Sequence, residues 1–149
     1  MATVEEFARR IAAIGRSVPD RANDAKRLVA AAVDQAVVLA TPVDTGRARA
    51  NWLVGLGVRP GRTVEAVDRG GGPTVATGQA TAGRARRGED VHISNNLPYI
   101  QRLNEGSSAQ APSRFVQLAM GRAIRAVRPR IKLLGLDVKR ARAGNSRTE

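Results

Sequence analysis

Apolar residues recur at helical spacing in three stretches of the chain and alternate at strand spacing in others. Val4, Phe7, Ala8, Ile11 and Ile14 mark a short amphipathic helix, ended by Gly15, Ser17 and Pro19. A second helix begins near Asp20 and carries a broad stripe of Leu28, Val29, Ala32, Val33, Ala36, Val37 and Leu39 or Ala40. Arg21, Asp24, Lys26, Arg27 and Asp34 fall elsewhere on its surface. Alanine is common in this stripe, so neighbouring elements must approach closely. Thr41 precedes Pro42, which biases it out of the helical region and ends the helix at about Ala40. The last long helix has Pro112 in its first turn and a buried stripe of Phe115, Leu118, Ala119, Ala123, Ile124 and Val127. Arg128-Pro129 interrupts it, Ile131 to Val138 form a last short element, and the chain from Arg140 is expected to be disordered.

Turn chemistry divides the middle of the chain. Asp44 and Thr45 are cap or turn residues and Gly46 accepts backbone angles closed to other residues, so Val43 to Gly46 is a tight reversal in which Asp44 caps the turn before Arg47. A short helical turn follows through Arg49. Trp52, Val54 and Leu56 alternate as a strand, and Arg59-Pro60-Gly61-Arg62 returns the chain into Thr63 to Val67 as a hairpin. Val91 to Ser94 is a further strand, and Pro98 to Leu103 a short helix or turn closed by Gly106. Residues 68–89 hold six glycines and Arg84, Arg86 and Arg87 but almost no large apolar residue, which predicts a mobile loop. The pattern as a whole is α+β: N-terminal helices and a C-terminal helix packed on a small antiparallel sheet, with a long glycine-rich loop. One domain spans 1–149, with the loop at about 68–89 and a basic arm at about 129–149.

Charge sharpens this picture. The chain has 149 residues, no cysteine and a formal net charge of +12. Residues 121–149 hold nine basic side chains against Asp137 and Glu149, so a net +7 sits in the last fifth of the chain. Such a segment is drawn to a polyanion, nucleic acid or an acidic protein surface, with an affinity that salt weakens; the alternative is a solvated helix face. Aromatic residues are scarce, which argues against stacking platforms for single-stranded nucleic acid and leaves phosphate contacts. The candidate contacts are Arg84, Arg86, Arg87, Arg128, Arg130, Lys132, Lys139, Arg140 and Arg142. Met1 to Arg10 lacks a signal-peptide pattern and no apolar run reaches spanning length, so a cytosolic or intravirion protein without a membrane segment is expected.

Candidate chemistry is thin. Asp44-Thr45-Gly46 matches the triplet of aspartic proteases, yet that chemistry needs two adjacent carboxylates in an all-β scaffold, and here an alanine-rich helix and a proline precede it. His92 is the single histidine and lies among strand residues. Gly70-Gly71-Gly72-Pro73 lacks the Lys-Ser/Thr of a phosphate-cradling loop. No catalytic, cofactor-binding or metal-ligating residue is expected, and neither is enzyme activity.

Two short signatures remain, in order. The first is Thr41-Pro42-Val43-Asp44-Thr45-Gly46-Arg47, followed by Asn51-Trp52. The second is Asn95-Asn96-Leu97-Pro98-Tyr99, which runs into Leu103-Asn104-Glu105-Gly106-Ser107-Ser108 and then Gln110-Ala111-Pro112-Ser113-Arg114-Phe115. From the second helix to Ile124 this series resembles the family of tailed-bacteriophage neck and tail-completion proteins that includes the lambda minor tail protein Z. Asn104 before Glu105, and Ala48 and Ala50 after the glycine, depart from the family pattern. Pro42, Asp44, Gly46, Pro98, Gly106 and Pro112 stand at its structural turns. The resemblance implies a hexameric ring at the head-tail junction or top of the tail, made in the host cytoplasm. Implied partners are head-completion or connector proteins and tail terminator or tail-tube proteins, with non-specific contact to genomic DNA in the channel. The alternative is a stand-alone basic nucleic-acid-binding protein, for which the net charge speaks.

Overall fold

A computed structural model describes residues 3–5 and 18–136. The expected first helix beyond Glu5, the element past Leu136 and the arm residues Lys139, Arg140 and Arg142 lie outside the described residues. Five helices and one two-stranded antiparallel sheet make up the described fold, which is α+β.

Helix α1 (Val18–Ala40) is the axis on which the rest is laid. Pro19 and Asp20 suit its first turn, where a missing N–H costs nothing and a negative charge meets the positive end of the helix dipole. It stops at Ala40, as Thr41-Pro42 requires. Helix α2 (Arg47–Ala50) and strand β1 (Leu53–Leu56) follow. Helix α3 (Gly72–Ala82), strand β2 (Val91–Ser94), helix α4 (Ile100–Asn104) and helix α5 (Phe115–Leu133) complete the order. Strand β1 pairs with β2, with Val54 opposite Ile93 and Gly55 opposite His92. Thr63 to Val67 is not a strand. The buried amide of Asn51 takes this stretch instead, donating to the Val64 carbonyl (2.9 Å) and accepting from the Val64 N–H (2.8 Å). The expected hairpin is thereby replaced by a sheet of sequence-distant strands.

The core lies between α1 and α5, where Val33, Val37, Val38 and Trp52 meet Ala119 and Ala123; Ala25, Val127 and Ile131 form a second cluster towards the other end. The buried positions of α5 recur every fourth residue from Phe115 to Ile131, a ridge that drifts around the helix as it climbs. That drift turns two residues of the expected stripe outward: Leu118 is 44% and Ile124 37% exposed. Pro129 does not end the helix. It forfeits a backbone bond, but burial of Val127 and Ile131 against α1 on either side of it holds the helix as far as Leu133. Pro112 does not begin it either, since α5 starts at Phe115 after Arg114 in the left-handed region (φ 62°). The cap comes from Asn104, whose backbone carbonyl accepts the Arg114 N–H and whose side-chain oxygen accepts the Val116 N–H (3.0 Å). Asn104 thus has a local task.

Much of the expected glycine-rich loop is helix α3. Pro73 stands in its first turn, and Asp68 holds its start by accepting from the Gly71 N–H (2.7 Å), the Thr74 N–H (2.9 Å) and the Thr74 hydroxyl (2.6 Å). The helix buries Gly78 and Ala82 against the rest of the fold, with α1 its main neighbour. Small residues are what make this possible, because the α3 backbone at Gly78 lies directly against the Asp34 side chain of α1. A Cβ on Gly78 would come within 2.0 Å of Asp34 Oδ2. After α3, the carbonyls of Ala85, Arg86 and Glu89 are tied down by α1: Asn23 and Arg27 donate to Ala85, and Lys26 to Arg86 and Glu89.

Asp34, expected on the helix surface, is fully buried, and neither carboxyl oxygen has a hydrogen-bond partner. Burial pushes its pKa up to about 7 from an ordinary 3.8. A raised folded-state pKa means that stability is fully present below pH 4 and lost as pH rises through 7, up to about 4 kcal/mol for a shift of this size. Asp68 has the opposite sign. Its pKa is lowered, first by the Thr74 hydroxyl bond and then by the Thr74 and Gly71 amides, so its contribution is lost only as pH falls below the usual carboxylate range. Denaturant titrations from pH 4 to 8 should therefore show stability falling in the wild type, and the fall should largely vanish in Asp34→Asn; an equal fall in both removes Asp34 as the cause. At Gly78 two effects compete. Alanine favours a helix by about 1 kcal/mol over glycine, whereas overpacking costs about 1–3 kcal/mol. The enclosed carboxyl has no open space to enter, so Gly78→Ala should destabilise, and less so in an Asp34→Ala background.

Candidate functional site

The two sequence signatures meet in space, at the C-terminal end of α1. Thr41, released from the helix by Pro42, turns its hydroxyl back to the Val37 carbonyl (2.6 Å) and accepts the indole N–H of Trp52 (2.7 Å). This fixes Trp52 over the core. Arg49 closes the same helix end, donating to the carbonyls of Leu39 (2.9 Å), Thr41 (3.0 Å) and Arg69 (2.7 Å). A cation there answers the negative end of the helix dipole, which α1 itself does not supply with any basic residue in its last turn.

Gly46 is the pivot of the first signature. Its φ is 93°, and a Cβ would lie 2.6 Å from the Arg69 nitrogen and 2.7 Å from the Asp68 carbonyl carbon. The Gly46 carbonyl accepts the N–H groups of Ala50 (3.1 Å) and Asp68 (3.0 Å), so one residue starts α2 and anchors the approach to α3. The turn's side-chain bond is made by Thr45, whose hydroxyl accepts the Arg47 N–H (3.2 Å), and not by Asp44. Asp44 has an exposed side chain, and its backbone carbonyl accepts from Arg69 (2.8 Å).

The second signature reaches the first through Asn95 and Gln110. Asn95 donates to the Ala48 carbonyl (2.9 Å). Gln110 clasps Val43 at two points, donating to its carbonyl and accepting its N–H, both at 2.9 Å. Between the signatures lies a cleft of about 270 Å³ that includes Pro42, Gly46, Arg47, Tyr99, Leu103 and Gln110 in its walls. Pro98 leads into α4 through a turn closed by the Ile100 N–H on the Leu97 carbonyl, and Gly106 (φ 101°) follows that helix.

The candidate contact residues divide into two groups. Arg84, Arg86 and Arg87 sit on the turn that α1 ties down. Arg87 pairs with Asp20 (Nε to Oδ1, 2.6 Å), and the side chains of Arg84 and Arg86 are exposed. Arg128, Arg130 and Lys132 are all exposed on α5, which contains no acidic residue. Arg122, Arg125, Arg128 and Lys132 follow one another at spacings of three or four, which places them along one side of the helix. No ion pair joins these four to a described acidic residue. No group of His, Cys, Asp or Glu among the described residues could hold a metal ion, and no described helix is long and apolar enough to cross a membrane.

Sequence reasoning named Asn51 and Gln110 in the signatures but not their partners, and it did not single out Asp68 or Arg69. Asn51, Arg69 and Gln110 bond backbone groups 13 to 67 residues away, which local spacing does not signal, whereas Asp68 bonds Gly71 and Thr74 close by, a spacing that could have been read as a helix start. Sequence reasoning also missed an apolar groove of about 900 Å³ between α1, β2 and α5. No family model, curated protein or solved structure matches the chain.

The geometry separates two substitutions in one turn. Gly46→Ala should cost about 1–3 kcal/mol for the backbone conformation, with the clash against residues 68–69 in addition. Asp44→Asn should stay within about 0.5 kcal/mol, since only its carbonyl is engaged. Equal losses in chemical denaturation would contradict this division.

Proposed function

We propose that this chain is a structural virion protein of the neck or tail-completion region of a tailed bacteriophage. In this reading it forms a hexameric ring that helps complete the tail and join it to the head. The observation that carries it is the junction of the two signatures. The segments that resemble the family in sequence are also those that clasp one another through Gln110 and Val43 and share one cleft. The role is assembly, with no enzymatic step, and the chain's own residues serve as contact surfaces. Head-completion or connector proteins on one side and tail terminator or tail-tube proteins on the other are the partners. The acid-free face of α5 and the basic arm beyond it meet an acidic neighbour or, non-specifically, the DNA in the channel. A ring would repeat these charges around its axis and concentrate a positive field that such a partner neutralises.

A second reading, a stand-alone nucleic-acid-binding protein, is favoured by one observation: the basic row of α5, which no described acidic residue pairs. It expects tight binding to a preferred duplex sequence, whereas a channel-facing surface expects weak binding to any sequence that falls steeply with salt. Titration of duplex DNA at two salt concentrations separates them.

The assembly role is tested in an infected cell. Loss of the protein should leave filled heads and separate tails, and a chain ending at Leu136 should fold normally yet restore few joined particles. Full joining without the protein would sink the reading, while full joining with the shortened chain would reduce the arm to a solvated tail.

A further inference from the structure

The fold brings two groups of basic residues, distant in sequence, to one end of the molecule. Ala25 of α1 clusters with Val127 and Ile131, whereas Val37 and Val38 cluster with Ala119 and Ala123. Helix α5 therefore runs antiparallel to α1, and its basic C-terminal half lies along the first turns of α1. The turn that carries Arg84, Arg86 and Arg87 is tied to the same turns of α1 through Asn23, Lys26 and Arg27. Lys26 stands between the two groups: its ammonium donates to the Arg86 carbonyl, and its side chain lines, together with Arg128, the groove between α1 and α5.

The acids at this end are engaged or set aside. Asp20 pairs with Arg87, Asp24 with Arg27 (3.8 Å), and the Glu89 carboxylate accepts the Arg86 N–H (2.9 Å). Asp90 lies in the groove wall, and α5 has no acid to set against its own row. From Arg122 through Arg125 and Arg128 to Lys132 that row covers about 15 Å of helix, and all four side chains are exposed. Duplex DNA carries one charge per ~1.7 Å of axis, so a row of this length meets several phosphates at once, and each contact releases counterions.

The make-up of the face favours DNA over an acidic protein. A protein interface is centred on apolar and aromatic residues, with charge at the rim. On α5 the order is reversed. Leu118 and Leu133 stand at the two ends of the row, Ile124 lines the groove, and the row's own side holds no large apolar residue between them. Faces that bind DNA are polar and positive in this way, and the guanidinium fork matches phosphate. We infer that the outer side of α5 and the 84–87 turn form one face that binds the phosphate backbone of duplex DNA without regard to sequence. The turn is held by α1 before any partner arrives, so little order is lost on contact. The inference deepens the proposed role by choosing DNA over an acidic neighbour for this face, and rests on that role only for where in a particle the DNA is met.

Titration of two unrelated short duplexes with the full chain, from about 50 to 200 mM salt, tests it. Wild type is compared with a variant of the helix (Arg125→Gln, Arg128→Gln, Lys132→Gln) and a variant of the turn (Arg84→Gln, Arg86→Gln). A third variant (Arg59→Gln, Arg62→Gln, Arg102→Gln) removes exposed charge outside the face and is the control for net charge. The slope of log affinity against log salt should shrink by about 2–3 in the helix variant, about 1–2 in the turn variant and less than about 1 in the control, alike for both duplexes. An equal loss in the control and the helix variant would make binding a property of total charge and overturn the inference. A wild-type slope in either face variant would overturn it too, and in the helix variant would return the row to an acidic protein neighbour. So would a strong preference for one duplex. Heads and tails left unjoined without the protein, together with wild-type slopes, would remove this face alone. The expected slopes with normal joining in its absence would remove the neck assignment and leave the DNA face standing.

Discussion

Close approach of backbone to α1 is the constraint on which the rest of the fold depends. The chain has few aromatic residues, so its core is not filled by large side chains. Alanine and glycine let other elements come near instead: Ala119 and Ala123 bring in α5, and Gly78 and Ala82 bury α3. Short-range packing of this kind leaves little slack. It also explains how a buried, unpartnered carboxyl at Asp34 has a glycine as its neighbour, since any larger residue at 78 would occupy the carboxyl's own space.

Most of the helical framework was legible because it is written in periodicity. The end of α1 at Ala40, the turn of α2 and the strand at Val91–Ser94 follow from Thr41-Pro42, Gly46 and local alternation. The failures share a physical cause. Residues 72–82 have no apolar stripe to betray a helix, because that helix is stabilised by small-residue packing and by the cap from Asp68. Thr63 to Val67 has strand-forming residues, but its hydrogen-bond partner is the Asn51 side chain. Pro129 is a strong local stop overruled by Val127 and Ile131, which local propensity cannot weigh.

The candidate site was legible only in part. Turn residues at 42–46 and 98–106 could be found from composition, whereas the contact between the two signatures is made by Asn95 and Gln110, whose partners lie 47 and 67 residues away. The basic residues of α5 were visible as charge, and the structure adds that they are exposed along a helix without acids. Arg84, Arg86 and Arg87, expected on a mobile loop, stand on a turn whose carbonyls α1 holds. A fixed turn presents charge in a set direction at less entropic cost than a loop that must order on contact.

The proposed assembly role draws on the clasped pair of signatures and the basic face of α5 as contact surfaces. The most direct measurement is electron microscopy of intact particles at a resolution that traces this chain. Six copies in a ring at the head-tail junction or the top of the tail, with the α5 face turned to an acidic neighbour or the DNA, is the expected result. Density for the chain at the tail tip, on the capsid shell or nowhere in the particle would contradict it.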